Sequence, residues 1–252
     1  FWELLVILDL LLYMELTDRQ VQIIKAIVEE YSQTAEAVGS ETLDRKYGLG
    51  ISPATIRNET VRLSEMGYLS QPHTSSGRTP TPKAIKFYIN ELMRERDISV
   101  AEEVAVKEQM WDYRQEIKDL LHQATRVLSE KTGMLAVAAT DGQHLYHSGY
   151  AHILDIPEFF DIDVTKSVLN LIDEADDLWQ IWEHNENQEP VRVLIGDDFG
   201  VRTLIPVGMV CSQFQAGQLS GTVGVIGPSR LNYPYVIPMV RYVAKLINDI
   251  AS

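Results

Sequence analysis

Apolar residues in the N-terminal third of the chain recur at helical spacing, separated by short polar breaks that carry glycine. Val21, Ile24, Val28 and Tyr31 form one stripe behind Thr17, a good N-cap, so the spacing predicts a helix there. Residues 40–47 predict a short second helix that turns Leu43 inward. Gly48, Leu49 and Gly50 make a turn, after which Ser52 caps a third helix with Pro53 in its first position. Gly67 ends that helix. Three helices with a glycine-containing turn between the last two predict a helix-turn-helix. On the third helix, Ile56, Thr60, Leu63 and Met66 fall on one side, and Ala54, Thr55, Asn58, Val61 and Arg62 on the other. Residues 68–70 and 78–80 then predict the flanks of a wing with residues 74–77 as its tip, and Lys83 and Lys86 open a further helix.

This first domain spans residues 15–93, and residues 94–252 predict a second one. Its apolar positions 110, 113, 117, 120, 124 and 127 follow a 3,4 spacing. The run covers fewer than three heptads, so a helix lying on a sheet is the preferred reading. The same seam, at Met110, Tyr113, Ile117 and Leu120, is the first candidate for a dimer interface. Strand-like runs follow at 134–140, 143–147, 191–197, 202–207 and 221–227, with helical stretches at 164–184 and 235–250. That mixture predicts an α+β fold on a mostly antiparallel sheet.

Residues 1–14 are strongly apolar, and the chain starts at Phe1. The stretch is short of the roughly 20 apolar residues a membrane-spanning helix needs. It also lacks the basic start and small-residue cleavage site of a signal peptide. Met14 is the expected initiator, with residues 1–14 upstream of it, and no membrane partner is expected.

Charge sharpens the picture. The net charge of −14 is unusual for a nucleic-acid binder, but it is unevenly spread. Residues 15–96 hold 11 basic and 11 acidic side chains, whereas residues 97–252 hold 11 and 23. Residues 40–86 carry seven basic and four acidic groups, a local excess of +3 over the predicted helix-turn-helix and wing. A local basic patch suits phosphate, and an acidic body weakens indiscriminate DNA binding, which is almost wholly electrostatic.

The outer face of the third helix carries the chemistry a major groove can use. Asn pairs bidentately with adenine and Arg with guanine, while Ala, Thr and Val touch a thymine methyl. A wing arginine such as Arg78 reaches phosphate or a narrow minor groove, and Lys83 and Lys86 suit phosphate. A protein-docking winged helix has the same outline, with Arg57 and Arg62 solvated or paired with Glu59 or Glu65. Helix, wing and local charge together favour DNA.

Catalysis finds no foothold. Cys211, the sole cysteine, excludes an internal disulfide and Cys-based zinc sites; it suits a reducing cytoplasm and reads as a core residue. His144, His147, His152 and Asp141 match no zinc spacing and read as a surface hairpin. Residues 226–229 form neither a P-loop nor a dinucleotide fingerprint. Gly221, Gly224 and Gly227 read as strand glycines that permit close backbone packing. The run Asp173, Glu174, Asp176 and Asp177 reads as a solvated face. No cofactor or metal is expected.

Several blocks resemble one family. LTDRQVQIIKAIVEEY, SPATIRNE, PHTSSGR and FYINELM in residues 15–93, then ILDIPEFFDID and GTVGVIGPSRLNY downstream, are similar to the heat-inducible transcription repressor HrcA family. The resemblance implies a winged-helix domain followed by a GAF-like α/β domain, and an enzyme is not expected. It implies a homodimer that binds an inverted-repeat operator in double-stranded DNA upstream of chaperone genes, kept active by a GroE-type chaperonin. It assigns DNA contact to Ser52, Ala54, Thr55, Arg57, Asn58 and Arg62, with His73, Ser75 and Arg78 on the wing. The residues between 140 and 154 leave no room for the long dimerisation insert usual in the family. Two alternatives stay open: a regulator that senses a small molecule in the second domain, and a winged-helix protein-interaction module.

Overall fold

The computed structural model describes residues 16–73, 76–141, 144–173, 190–217 and 219–251. The chain divides into two compact units, with the division between Leu92 and Met93.

In the first unit, α1 (Asp18–Thr34), α2 (Ser40–Tyr47) and α3 (Pro53–Glu65) precede an antiparallel hairpin of β1 (Leu69–Ser70) and β2 (Thr79–Pro80). Then come α4 (Pro82–Phe87) and a π-helical turn, Tyr88–Leu92. A capping box starts α1: the Thr17 hydroxyl accepts from the Gln20 amide, and the Gln20 side-chain oxygen accepts from the Thr17 amide at 3.1 Å. Ile23, Ile24, Ile27 and Val28 of α1 are buried with Leu43, Ile56, Leu63, Leu69 and Ile85. The inner face of α1 is thus wider than the expected stripe, and Val21 and Tyr31 are only half-buried at its margins. Each fully buried side chain of this kind contributes about 1.5–3 kcal/mol, which is what holds so small a unit together.

The second unit is a five-stranded antiparallel sheet with helices on both faces. Its helices and strands are α5 (Val100–Trp111), α6 (Ile117–Thr132), β3 (Leu135–Thr140), β4 (Leu145–Ser148), α7 (Tyr150–Ile153) and α8 (Ile162–Asp173). They continue with β5 (Val191–Ile195), β6 (Val207–Ala216), β7 (Leu219–Pro228) and α9 (Tyr233–Ala251). The strand order is β4-β3-β7-β6-β5. Alternation along β3 sends Leu135, Val137 and Ala139 into a core completed by Phe159 and by Val164, Val168 and Ile172 of α8. The opposite face is covered by α6 and α9, which are also packed on each other. This α+β arrangement, a winged helix-turn-helix followed by a mostly antiparallel sheet domain with helices, is the one expected.

Three expectations about elements need correction. Residues 202–207 are not a strand: residues 202–204 form a 3-10 turn that buries Leu204, and the strand begins at Val207. Pro206 explains the shift, because it has no N–H to give a sheet ladder. The ten-residue strand β6, which carries the buried Cys211, was not expected. Finally, the 110–127 run is not one helix, since α5 ends at Trp111 and α6 begins at Ile117. Met110 and Leu120 are fully buried inside the unit, Tyr113 is exposed and Ile117 half-buried. The 3,4 spacing therefore reports internal packing at its four buried members, Met110, Leu120, Ala124 and Val127. The expected helix at 164–184 is described as far as Asp173; the rest of it, with Glu174, Asp176 and Asp177, lies outside the described residues, as do residues 1–14. Among the described residues no helix is long and apolar enough to cross a membrane.

Candidate nucleic-acid interface

Helix α3 is built to show one face. The Ser52 hydroxyl accepts from the Thr55 amide at 3.2 Å and Pro53 occupies the first turn, which fixes where the helix starts. Ile56 and Leu63 are fully buried, with Glu59 and Thr60 beside them. That leaves Ser52, Ala54, Arg57, Asn58, Val61 and Arg62 exposed and Thr55 half-buried. Met66, expected on the inner side, is half-buried at the helix end.

The wing is anchored at its base. Ser70 and Thr79 share a hydroxyl hydrogen bond of 2.8 Å, and the Thr81 hydroxyl donates to the Gly67 carbonyl at 2.7 Å. Arg78 exchanges two backbone hydrogen bonds with Val38, at 2.8 and 2.9 Å, so the α1–α2 connection is joined to the wing by a single antiparallel bridge. Gly77 permits this: a Cβ there would lie 2.4 Å from the Val38 carbonyl carbon. His73 is exposed; its amide donates to the Ser76 hydroxyl, which donates back to the His73 carbonyl. Thr74 and Ser75 lie outside the described residues, so the structure does not place Ser75.

Between the start of α2, the outer side of α3 and the wing lies a cleft of about 460 Å³. Its lining includes Ser40, Thr42, Arg57, Gln71 and Arg78. Gly39 caps α2 without a side chain, so the first amides of that helix have no side-chain acceptor and the positive end of its dipole faces the cleft region. Among the described residues the buried Arg78 Nε has no hydrogen-bond partner. Two guanidinium groups from different elements, a helix N-terminus and one carboxylate, Glu41, thus line one concave surface, whose excess of positive charge suits a phosphate oxygen.

Lys83 is placed differently from the expectation. Its ammonium donates to the Met66 carbonyl at 3.0 Å and stands 4.3 Å from the centroid of the Tyr68 ring. It caps the C-terminus of α3 with one of its three donors and remains exposed. Arg62 is also engaged: its guanidinium lies 3.5 Å from Glu59, which Arg19 approaches at 3.8 Å. The Arg62–Glu59 pairing is one of the alternatives the sequence offers; Glu59's burial and its partners Gln20 and Arg19 were missed. The signal existed, because position 59 lies three residues after Ile56 and four before Leu63, on the inner arc of the helix.

In the second unit, the two downstream blocks meet. The Arg230 guanidinium donates to both Glu158 oxygens, at 2.6 and 3.0 Å, with both side chains largely buried. The bridge ties the 157–160 turn to the end of β7 and gives both blocks a structural role.

Comparison with known proteins agrees with this picture. The profile of the HrcA protein C terminal domain matches residues 57–237. The heat-inducible transcription repressor HrcA of Symbiobacterium thermophilum is 26% identical over 333 residues, covering 92% of this chain and 98% of that protein. That alignment is longer than this 252-residue chain, so the relative has a stretch with no counterpart here. The HrcA of Clostridioides difficile is 44% identical over 127 residues, half of this chain and 38% of its own length. A crystal structure described as a hypothetical protein superposes with a TM-score of 0.77 at 16% identity, covering 94% of this chain and 98% of that one, and shares the fold. The two HrcA relatives are heat-inducible transcription repressors. The chain belongs to the HrcA family of heat-inducible transcription repressors.

Proposed function

We propose that the chain is a sequence-specific repressor of heat-shock chaperone genes that binds an inverted-repeat operator as a homodimer in the cytoplasm, its activity supported by a GroE-type chaperonin. Residues 15–93 are the DNA-binding domain and residues 94–252 the regulatory and dimerisation domain. The observation that carries the reading is the exposed row of Ala54, Arg57, Asn58 and Arg62 on α3, next to the arginine-lined cleft. The row enters a major groove with Asn58 and Arg57 on base edges, while Arg78 and the start of α2 hold the backbone. Ser52, Thr55, His73 and Ser75 add polar contacts at the rim. Lys83 supports α3 and does not contact DNA itself. In the dimer, two such helices enter successive major grooves, so half-sites lie about one helical turn, or a multiple of one, apart. Of the seam at Met110, Tyr113, Ile117 and Leu120, only Tyr113 and Ile117 reach the surface, so those two are its usable part.

The test is a titration of the full chain against a fluorescent duplex with an inverted repeat and against a scrambled duplex, at two salt concentrations. Binding that favours the repeat, with two half-sites filled together, is the expected result. Equal binding to both duplexes, with or without chaperonin, refutes the reading.

A further inference from the structure

We infer that Glu59 is a positioning residue of the DNA-reading surface, acting through Arg62; this rests on the DNA-binding reading above. Glu59 sits on α3, yet it points inward and is 8% exposed. An unpaired carboxylate there is costly, so its partners are part of the fold. One oxygen accepts from the Gln20 side-chain nitrogen at 3.1 Å. Gln20 is itself locked, because its other side-chain atom accepts from the Thr17 amide in the capping box of α1. The second oxygen of Glu59 faces two guanidinium groups, Arg19 from α1 and Arg62 from α3. Thr17, Gln20, Glu59 and Arg62 thus form a continuous polar chain from the start of α1 to the outer face of α3.

This chain does two things at once. It fixes the roll of α3 on α1, which decides which side chains face a groove. It also restrains Arg62, whose side chain remains 66% exposed, before any DNA arrives. A restrained arginine loses less side-chain freedom on binding than a free one. With Arg19 held at the same carboxylate, the cluster keeps a net positive charge, so Glu59 aims the cations without cancelling them. Arg19 thereby joins the surface as a second cation beside Arg62.

The experiment is a double-mutant cycle with Glu59→Gln and Arg62→Ala in the full chain, reading affinity for operator and scrambled duplexes. Gln keeps an acceptor for Gln20 but loses the charge that holds the arginines. The expected result for Glu59→Gln is weaker operator binding, by about fivefold or more, the lower end of what one base contact discriminates. Scrambled-duplex affinity stays the same or rises, because a negative charge has gone. In the Arg62→Ala background the same change alters the operator-to-scrambled ratio less than about twofold, since independent sites add and coupled ones do not. A loss of equal size in both backgrounds overturns the inference and makes Glu59 a purely structural residue. So does an unchanged ratio in Glu59→Gln, with thermal unfolding used to confirm that the variant is folded. If the unaltered chain fails to prefer the operator, the repressor reading fails first and takes this inference with it.

Discussion

Gly77→Ala tests how the wing is held. The new Cβ would lie 2.4 Å from both the carbonyl carbon and the oxygen of Val38, and 2.8 Å from the Ala37 carbonyl carbon. All three are backbone atoms, so no side-chain rotation relieves the overlap, and the wing must move off the α1–α2 connection. That movement breaks the two hydrogen bonds between Val38 and Arg78. At about 0.5–1.5 kcal/mol each, their loss costs roughly 1–3 kcal/mol. For a unit of this size that lowers the melting temperature by several degrees, at about 4–8 °C per kcal/mol. Amide exchange at Val38 and Arg78 should accelerate, and operator affinity should fall because Arg78 is displaced. Gly39→Ala is the control: its φ is −85° and nothing lies within 4 Å of its Cβ. It should cost about 1 kcal/mol as an N-cap change, but leave amide exchange at Val38 and Arg78 at the wild-type rate, which is what separates it from Gly77→Ala. If Gly77→Ala kept wild-type exchange and wild-type affinity, the wing anchor described above would be wrong.

The remaining predictions concern charge. Arg57→Ala and Arg78→Ala should each weaken operator binding by about 1–3 kcal/mol per half-site, measured by fluorescence anisotropy; unchanged affinity would remove both from the site. Lys83→Ala should lower the melting temperature while leaving the salt dependence of DNA binding unchanged, because its ammonium is bound to the Met66 carbonyl. A contact to phosphate would instead reduce the salt slope by about 1. Glu158→Ala should destabilise the second unit by about 3–5 kcal/mol in denaturant unfolding, since it leaves the largely buried Arg230 without its carboxylate partner. Acid should also destabilise the chain. Hydrogen bonding to Lys46 holds the Glu30 carboxyl below its ordinary 4.5, and hydrogen bonding to Arg241 does the same for Glu95. A lowered folded-state value means that the stability is present above the unfolded value and lost as pH falls through the folded one. The unfolding midpoint should therefore drop as pH falls below about 4.5. Glu30→Gln should flatten that drop in thermal scans.

The elements legible in the sequence were those whose cause is local. Ser52 and Pro53 announce the start of α3, and Gly67 at φ 78° announces its end. SPATIRNE and PHTSSGR therefore mapped directly onto the helix and the wing. What stayed hidden depends on partners distant in sequence. Glu59 meets Gln20 across 39 positions, and Arg230 meets Glu158 across 72. Neither pairing has a period that marks it. The 110–127 spacing misled for a related reason: a 3,4 repeat records burial but not whether the cover comes from the same chain. The five exposed residues at 112–116, where the helix breaks, are what the repeat could not register.

Recognition helix and wing are separate elements, yet both are tied back to α1 and the segment just after it. The Glu59–Gln20 bond holds α3 to the first turn of α1, and the Val38–Arg78 pair holds the wing four residues beyond its end. DNA imposes a fixed distance between a groove and the flanking phosphates, so helix and wing must keep their spacing for base and backbone contacts to form together. A surface loop cannot keep such a spacing by itself. A helix with five fully or nearly fully buried residues, Ile23, Ile24, Ala26, Ile27 and Val28, can. Apart from Arg19 at its start, the first helix makes no DNA contact in this scheme, but it is the ruler against which both DNA-contacting elements are set. Substitutions that shift α1 should therefore reduce base discrimination and phosphate contact together, whereas changes on the outer face of α3 alone should reduce discrimination.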